Sequence, residues 1–260
     1  MANVTDALWS AGALLAGTFV LRPYVVGFLA FFLVAGARDL GRARTLGFLL
    51  WGFLVALGAE LWSTRAGLPF GLYHYTGQTS GAELFLSNVP FFSPLSFPFL
   101  AYASFCLARR ALGRGRTEGR AGRLRLVAGS AALMTLLDVV IDPLAVRGGR
   151  WFLGHLFTYP QGGVYFGVPL SNFAGWLLVG WATIGGYVWV TGDTRPGRPR
   201  LGITLYYLVL AVNLTVTLWI GEILIAAAGI VVHLAVFLLL YNVSRVPLGR
   251  WSAERLSATP

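Results

Sequence analysis

The sequence predicts an all-α, polytopic integral membrane protein with about seven transmembrane helices, eight being the alternative count, and a cytoplasmic C-terminus. Composition is the first reason. Hydrophobic residues make up 57% of the 260 and charged residues 12%, with a mean hydropathy of +0.70, whereas soluble domains average roughly 25% charged. So little polar surface cannot cover a water-facing globule. The second reason is a recurrence of apolar runs of the length a bilayer needs, roughly 20 residues. The third is that arginine crowds into every second connection.

The first stretch, 8–37, is interrupted by Arg22-Pro23, so it is either one tilted helix or a short entry segment followed by a helix. Six further runs lie near 45–63, 89–108, 124–144, 168–190, 202–220 and 222–241. The start lacks the charged segment, apolar core and small-residue cleavage site of a removable signal peptide. The whole chain, 1–260, reads as a single transmembrane helical domain with 246–260 as its tail. Arg38, Arg42 and Arg44 follow the first run, and seven arginines between Arg109 and Arg125 follow the third. Arg195, Arg198 and Arg200 come after 190, and Arg245, Arg250 and Arg255 near the end. The intervening connections hold only Arg65, Arg147 and Arg150. This alternation assigns the Arg-rich side to the cytoplasm.

All 20 basic residues are arginine, against ten acids. Without lysine there is no Schiff base, which excludes a retinal photoreceptor and a pyridoxal enzyme. The lone Cys106 excludes an internal disulfide or a Cys-rich metal site within this chain, and His74, His155 and His233 are too few for a many-histidine di-iron site. Arginines scattered between apolar runs indicate topology rather than nucleic-acid binding. No metal or cofactor is expected.

Once direction is assigned, nearly every acid that is not paired with a cytoplasmic arginine lies on the non-cytoplasmic side. Glu60 closes the second run. Asp138 and Asp142 close the fourth, one turn apart and so on the same face. Asn172 and Trp176 open the fifth, and Glu222 sits in the last outer turn. Glu83, His74 and His155 lie in the two outer loops. An ionisable group within a span is a functional-site hypothesis by default. The bland alternatives are that Glu60 and Asp142 pair with Arg65 and Arg147, and that Trp62, Tyr73, Tyr75 and Trp151 form an aromatic belt. His233 and Asn213 read as helix-packing hydrogen bonders. The two outer loops echo each other: each follows a carboxylate-bearing run, is rich in Gly and aromatics, and closes on Val-Pro (Val89-Pro90, Val168-Pro169).

Two ordered signatures carry a resemblance. Gly58-Ala59-Glu60, Thr64, Gly67, Pro69-Phe70-Gly71, Tyr73 and Tyr75-Thr76 form the first. Asp138, Asp142-Pro143, Trp151, Gly163, Tyr165, Gly167-Val168-Pro169, Asn172-Phe173 and Gly175-Trp176 form the second. Over about 45–245 the chain resembles the membrane-bound carotenoid hydratases, namely the CruF-type 1,2-hydratases and the bisanhydrobacterioruberin hydratases. The resemblance implies addition of water across the terminal C1=C2 double bond of a ψ end group, as in lycopene, γ-carotene or bisanhydrobacterioruberin, with no redox cofactor or metal. Such chemistry needs a proton for C2, stabilisation of a tertiary cation at C1, and a held water. A carboxyl group withdrawn from water can keep its proton at neutral pH, a second carboxylate can accept one from water, and aromatic faces add about 0.5–2 kcal/mol each to a cation.

The expected roles are Asp138 as acid, Asp142 or Glu60 as base, and His74 and Asn172 as water orienters. Tyr73, Tyr75, Glu83, Trp151, His155, Tyr165 and Trp176 complete the expected binding set. The partners are then a carotenoid and the lipid bilayer, with the site near the non-cytoplasmic face. Two alternatives stay open on the residues alone: a membrane carotenoid cyclase or isomerase, and a proton-coupled isoprenoid or lipid transporter.

Overall fold

A computed structural model describes residues 4–194 and 197–245. Arg195 and the expected tail, 246–260 with Arg250 and Arg255, lie outside the described residues. The helices are α1 (Val4–Leu21), α2 (Pro23–Asp39), α3 (Arg42–Ala66), α4 (Phe92–Leu112), α5 (Gly119–Ala145), α6 (Leu170–Thr191), α7 (Arg200–Trp219) and α8 (Ile223–Arg245). Four two-residue strands lie in the two long connections: β1 (His74–Tyr75), β2 (Phe85–Leu86), β3 (Val89–Pro90) and β4 (Phe157–Thr158).

Five helices are long and apolar enough to cross a membrane, α3 and α5–α8, or six if the bent α1–α2 pair counts as one span. The expectation of seven differs through α4. It is 21 residues long but carries Ser93, Pro94, Ser96, Pro98 and Ser104, and it ends on Arg109-Arg110. That helix faces protein rather than lipid: 17 of its 21 residues are buried, and it packs against α2, α3, α5, α6, α7 and α8. Burial among helices relieves it of the apolarity that lipid contact demands. The 8–37 ambiguity resolves as two helices meeting at 91°. Pro23 starts α2, where its missing N–H belongs to the first, unbonded turn.

Helix ends sort by chemistry. At one end, Asp39 of α2 binds Arg109 of α4, and Arg44 of α3 reaches Asp193 after α6 at 3.4 Å. At the other end lie the C-terminal turns of α3, α5 and α7, the N-terminal turns of α4 and α6, and both long loops. The loops are joined to each other. β1 pairs antiparallel with β4, and Thr76 donates its N–H to Leu156 O at 2.9 Å. Both Val-Pro closures sit in tight hairpins, Leu86 opposite Val89 and Tyr165 opposite Val168. Gly175 of α6 admits the first loop, since a Cβ there would lie 2.5 Å from Phe70 Cδ1 and 2.9 Å from Pro69 C.

Candidate active site

At the loop end the helices enclose a cavity of about 1050 Å³, including its open mouth. Glu60 enters from α3, Ser93, Ser96 and Phe97 from α4, Asp142 from α5, Asn172 and Trp176 from α6, and Tyr73, Tyr75, Trp151 and Tyr159 from the loops. Most of the lining is aromatic or aliphatic.

The carboxyls occupy two walls. On α5, Asp138 and Asp142 project from successive turns. The amide of Asn172 donates to Oδ2 of both at 2.7 Å, and Trp176 Nε1 donates to Asp142 Oδ2 at 3.2 Å. Asp142 borders the cavity, and Asp138 is completely buried behind it. The Asn172 amide thus bridges the two carboxyl groups, and Asp138 Oδ1 is buried without a hydrogen-bond partner among the described residues. Across the cavity, Glu60 Oε2 accepts from Tyr75 OH at 2.7 Å and Oε1 from Ser93 Oγ at 2.9 Å. Among the described residues no arginine lies in ion-pair range of Glu60, Asp138 or Asp142. Arg65 instead donates to Leu61 O and Ser87 Oγ, while Arg147 binds Pro143 O, Phe166 O and Glu222. The pairing that would have made these acids structural is not formed. Among the described residues, no group of three or more His, Cys, Asp or Glu could hold a metal ion.

Aromatic rings build the rest. Trp176 stacks on Phe97 with centroids 4.4 Å apart and planes at 16°, and Phe70 meets Trp176 edge-on. Tyr73 lies edge-on to Tyr75 and Phe157, with Tyr159 tilted against it at 5.7 Å. Burial pushes the phenols of Tyr73, Tyr75 and Tyr159 above their ordinary range, so they remain hydrogen-bond donors at neutral pH.

Of the expected residues, Glu60, Tyr73, Tyr75, Asp142, Trp151, Asn172 and Trp176 line one cavity, with Asp138 directly behind. Four do not reach it. His74 and His155 are exposed. On β1, neighbouring residues point to opposite sides, so Tyr73 and Tyr75 face inward and His74 outward. Tyr165 is half-buried outside the cavity, its OH 3.3 Å from Val139 O. Glu83 is buried in an ion pair with Arg22 at 2.7 Å. Glu222 is likewise held by Arg147 and Arg150. Sequence reasoning misses Tyr24, Ser93, Ser96, Phe97 and Tyr159 as lining. It also reads Asn213 as a helix-packing residue, whereas the Asn213 amide donates to Val209 O of its own helix and borders the cavity.

Residues 14–240 match a family described as carotenoid biosynthesis protein. The chain belongs to this family. It is also 35% identical, over 184 residues, to the bisanhydrobacterioruberin hydratase of Haloarcula japonica, a similarity covering 69% of this chain and 58% of that protein. The chain thus matches less than two thirds of the relative's length. No solved structure matches the chain. The matched span contains the whole cavity, from Tyr24 of α2 to Val216 of α7.

Proposed function

We propose that this chain is a carotenoid hydratase that adds water across the terminal C1=C2 double bond of a ψ end group, of the lycopene, γ-carotene or bisanhydrobacterioruberin type. The observation that carries the reading is a carboxyl pair bridged by the Asn172 amide at one wall of an aromatic cavity, with a third carboxyl, Glu60, lining the same cavity. Family membership and the hydratase relative support it.

In this reading the acid role passes from Asp138 to Asp142, the member of the pair that borders the cavity. Asp142 gives its proton to C2, and the π electrons of C1=C2 form the new C–H bond. Asp138, behind it, is joined to Asp142 through the Asn172 amide and holds that wall of the site in place. The positive charge at C1 is met by the rings of Trp176, Tyr73 and Tyr159, each worth about 0.5–2 kcal/mol. Water then bonds to C1, and its surplus proton passes to Glu60, whose carboxylate Tyr75 and Ser93 hold in place. The product is a tertiary alcohol, and transfer of that proton from Glu60 back to Asp142 restores the site. No metal or redox step enters this scheme. Family membership supports a prokaryotic inner-membrane location, and the arginine asymmetry supports an orientation with the Arg-rich end cytoplasmic and the cavity at the non-cytoplasmic face.

Expression in a lycopene-producing bacterium, followed by mass spectrometry of the pigments, tests the proposal. The expected product is heavier by one water, and Asp142→Asn should lower its yield by about 10²–10⁴-fold, the usual contribution of a positioned acid. A new pigment of unchanged mass would point to a cyclase or isomerase. Inert lycopene, γ-carotene and bisanhydrobacterioruberin, with folded protein in the membrane, would sink the hydratase reading.

A further inference from the structure

The hydration scheme leaves one part without an owner. Something must hold the water that captures the cation, yet His74 is exposed away from the cavity, and the Asn172 amide is already committed to Asp138 and Asp142. The wall formed by α7 offers a different group. Four α7 residues border the cavity: Val209, Val212, Asn213 and Val216. Asn213 is the only polar one among them.

Its one side-chain hydrogen bond among the described residues runs from Nδ2 to Val209 O of the same helix, at 2.9 Å. That leaves one N–H and the Oδ1 carbonyl for a ligand. Depth matches too. Asn213 lies six residues before the end of α7, and Glu60 lies six before the end of α3. At 1.5 Å per residue, each sits about 9 Å in from its helix end. An amide among valines, within a span, that links no two helices is more consistent with a site residue than with packing.

We propose that Asn213 is the water-positioning residue of this site, its free amide groups holding the nucleophilic water against C1. The inference rests on the hydratase reading and extends it to α7. It also predicts what happens without a held water. A C1 cation that is not captured loses a proton from one of its methyl groups, and the electrons of that C–H bond form a new C=C between that carbon and C1. The result is a double-bond isomer of the substrate's own mass, with the proton returned to the site.

The experiment compares wild type, Asn213→Leu and Asn213→Asp on a pigment that the wild type hydrates, and scores hydrated product and same-mass isomer together. Asn213→Leu should lower the hydrated product about tenfold, as expected for one lost hydrogen bond in the reacting complex, and raise the isomer. Asn213→Asp, which keeps an oxygen at the same place, should retain most of the hydration. Unchanged hydration in Asn213→Leu overturns the proposal. So does parallel loss of both products with the protein at wild-type level in the membrane, because that marks a structural role. If the leucine variant does not accumulate, Asn213→Ala is read in the same way. Absence of hydrated product from the wild type would overturn the hydratase reading itself, and this inference with it.

Discussion

The Arg22–Glu83 pair can be dissected quantitatively. Arg22, at the α1–α2 elbow, donates Nε to Glu83 Oε2 at 3.2 Å, Nη2 to Glu83 Oε1 at 2.7 Å and Nη1 to Leu153 O at 2.7 Å, with Phe92 beneath its guanidinium at 4.4 Å. Thr79 Oγ1 also donates to Glu83. One arginine thus fastens the elbow to both long loops, directly beside the cavity residues Tyr24, Phe92 and Leu153. Arg22 and Glu83 are 2% and 1% exposed, so removing either leaves a buried charge without its partner, at a cost of about 3–5 kcal/mol. At roughly 2–4 °C per kcal/mol for a chain of this size, Arg22→Met and Glu83→Met should each unfold about 6–20 °C earlier in detergent. Removing both charges together should cost less than the sum, by at least about 2 kcal/mol of coupling, because no uncompensated ion remains. Additive losses would refute the buried-pair reasoning. The same double variant separates structure from chemistry: if it is folded yet forms no hydrated pigment, Glu83 belongs to the site after all.

Two further expectations follow from the geometry. Glu60→Gln should lower hydration about 10²-fold or more and Tyr75→Phe about tenfold, whereas His74→Ala and His155→Ala, at exposed positions, should stay within about twofold in the same pigment assay. For orientation, a cysteine at exposed Gln78 should react with an impermeant maleimide in intact cells, and one at exposed Arg120 only after lysis, with buried Cys106 silent; the reverse pattern would invert the topology.

What the sequence reveals depends on how local the signal is. Asp138 with Asp142, and Asn172 with Trp176, are spaced i and i+4 on helices, so spacing alone puts each pair on one helix face. That the two faces meet through the Asn172 amide is a tertiary fact that the spacing does not contain. Glu83 illustrates the opposite case. Its partner is 61 residues away, across a bend that the Arg22-Pro23 dipeptide marks without disclosing its angle. The expected role of His74 fails although the signal is available: in Tyr73-His74-Tyr75 the period-2 alternation of an extended segment sends the histidine outward when both tyrosines face in. Helix α4 falls short of the apolarity of a lipid-facing span because its serines and prolines are buried against six other helices. Asn213 is legible as a lone polar residue among valines, but only the cavity distinguishes a site residue from interhelical glue.

The placement of the acids also bears on the choice between hydration and proton-coupled transport. Transport of that kind needs a route that carries protons between the two faces of the membrane, with carboxyls near the midplane. Hydration consumes water and no net proton: in the proposed scheme the proton given by Asp142 to C2 is replaced by the one the captured water releases on bonding to C1. In that scheme the proton has only to cross the cavity from Glu60 back to Asp142. At the Arg-rich end Asp39 is paired with Arg109, and the unpaired acids stand at the opposite end beneath loops joined by β1 and β4. A closed proton cycle between two walls of one cavity requires nothing more from the rest of the bundle than that α4, α5 and α6 hold those walls at a fixed separation.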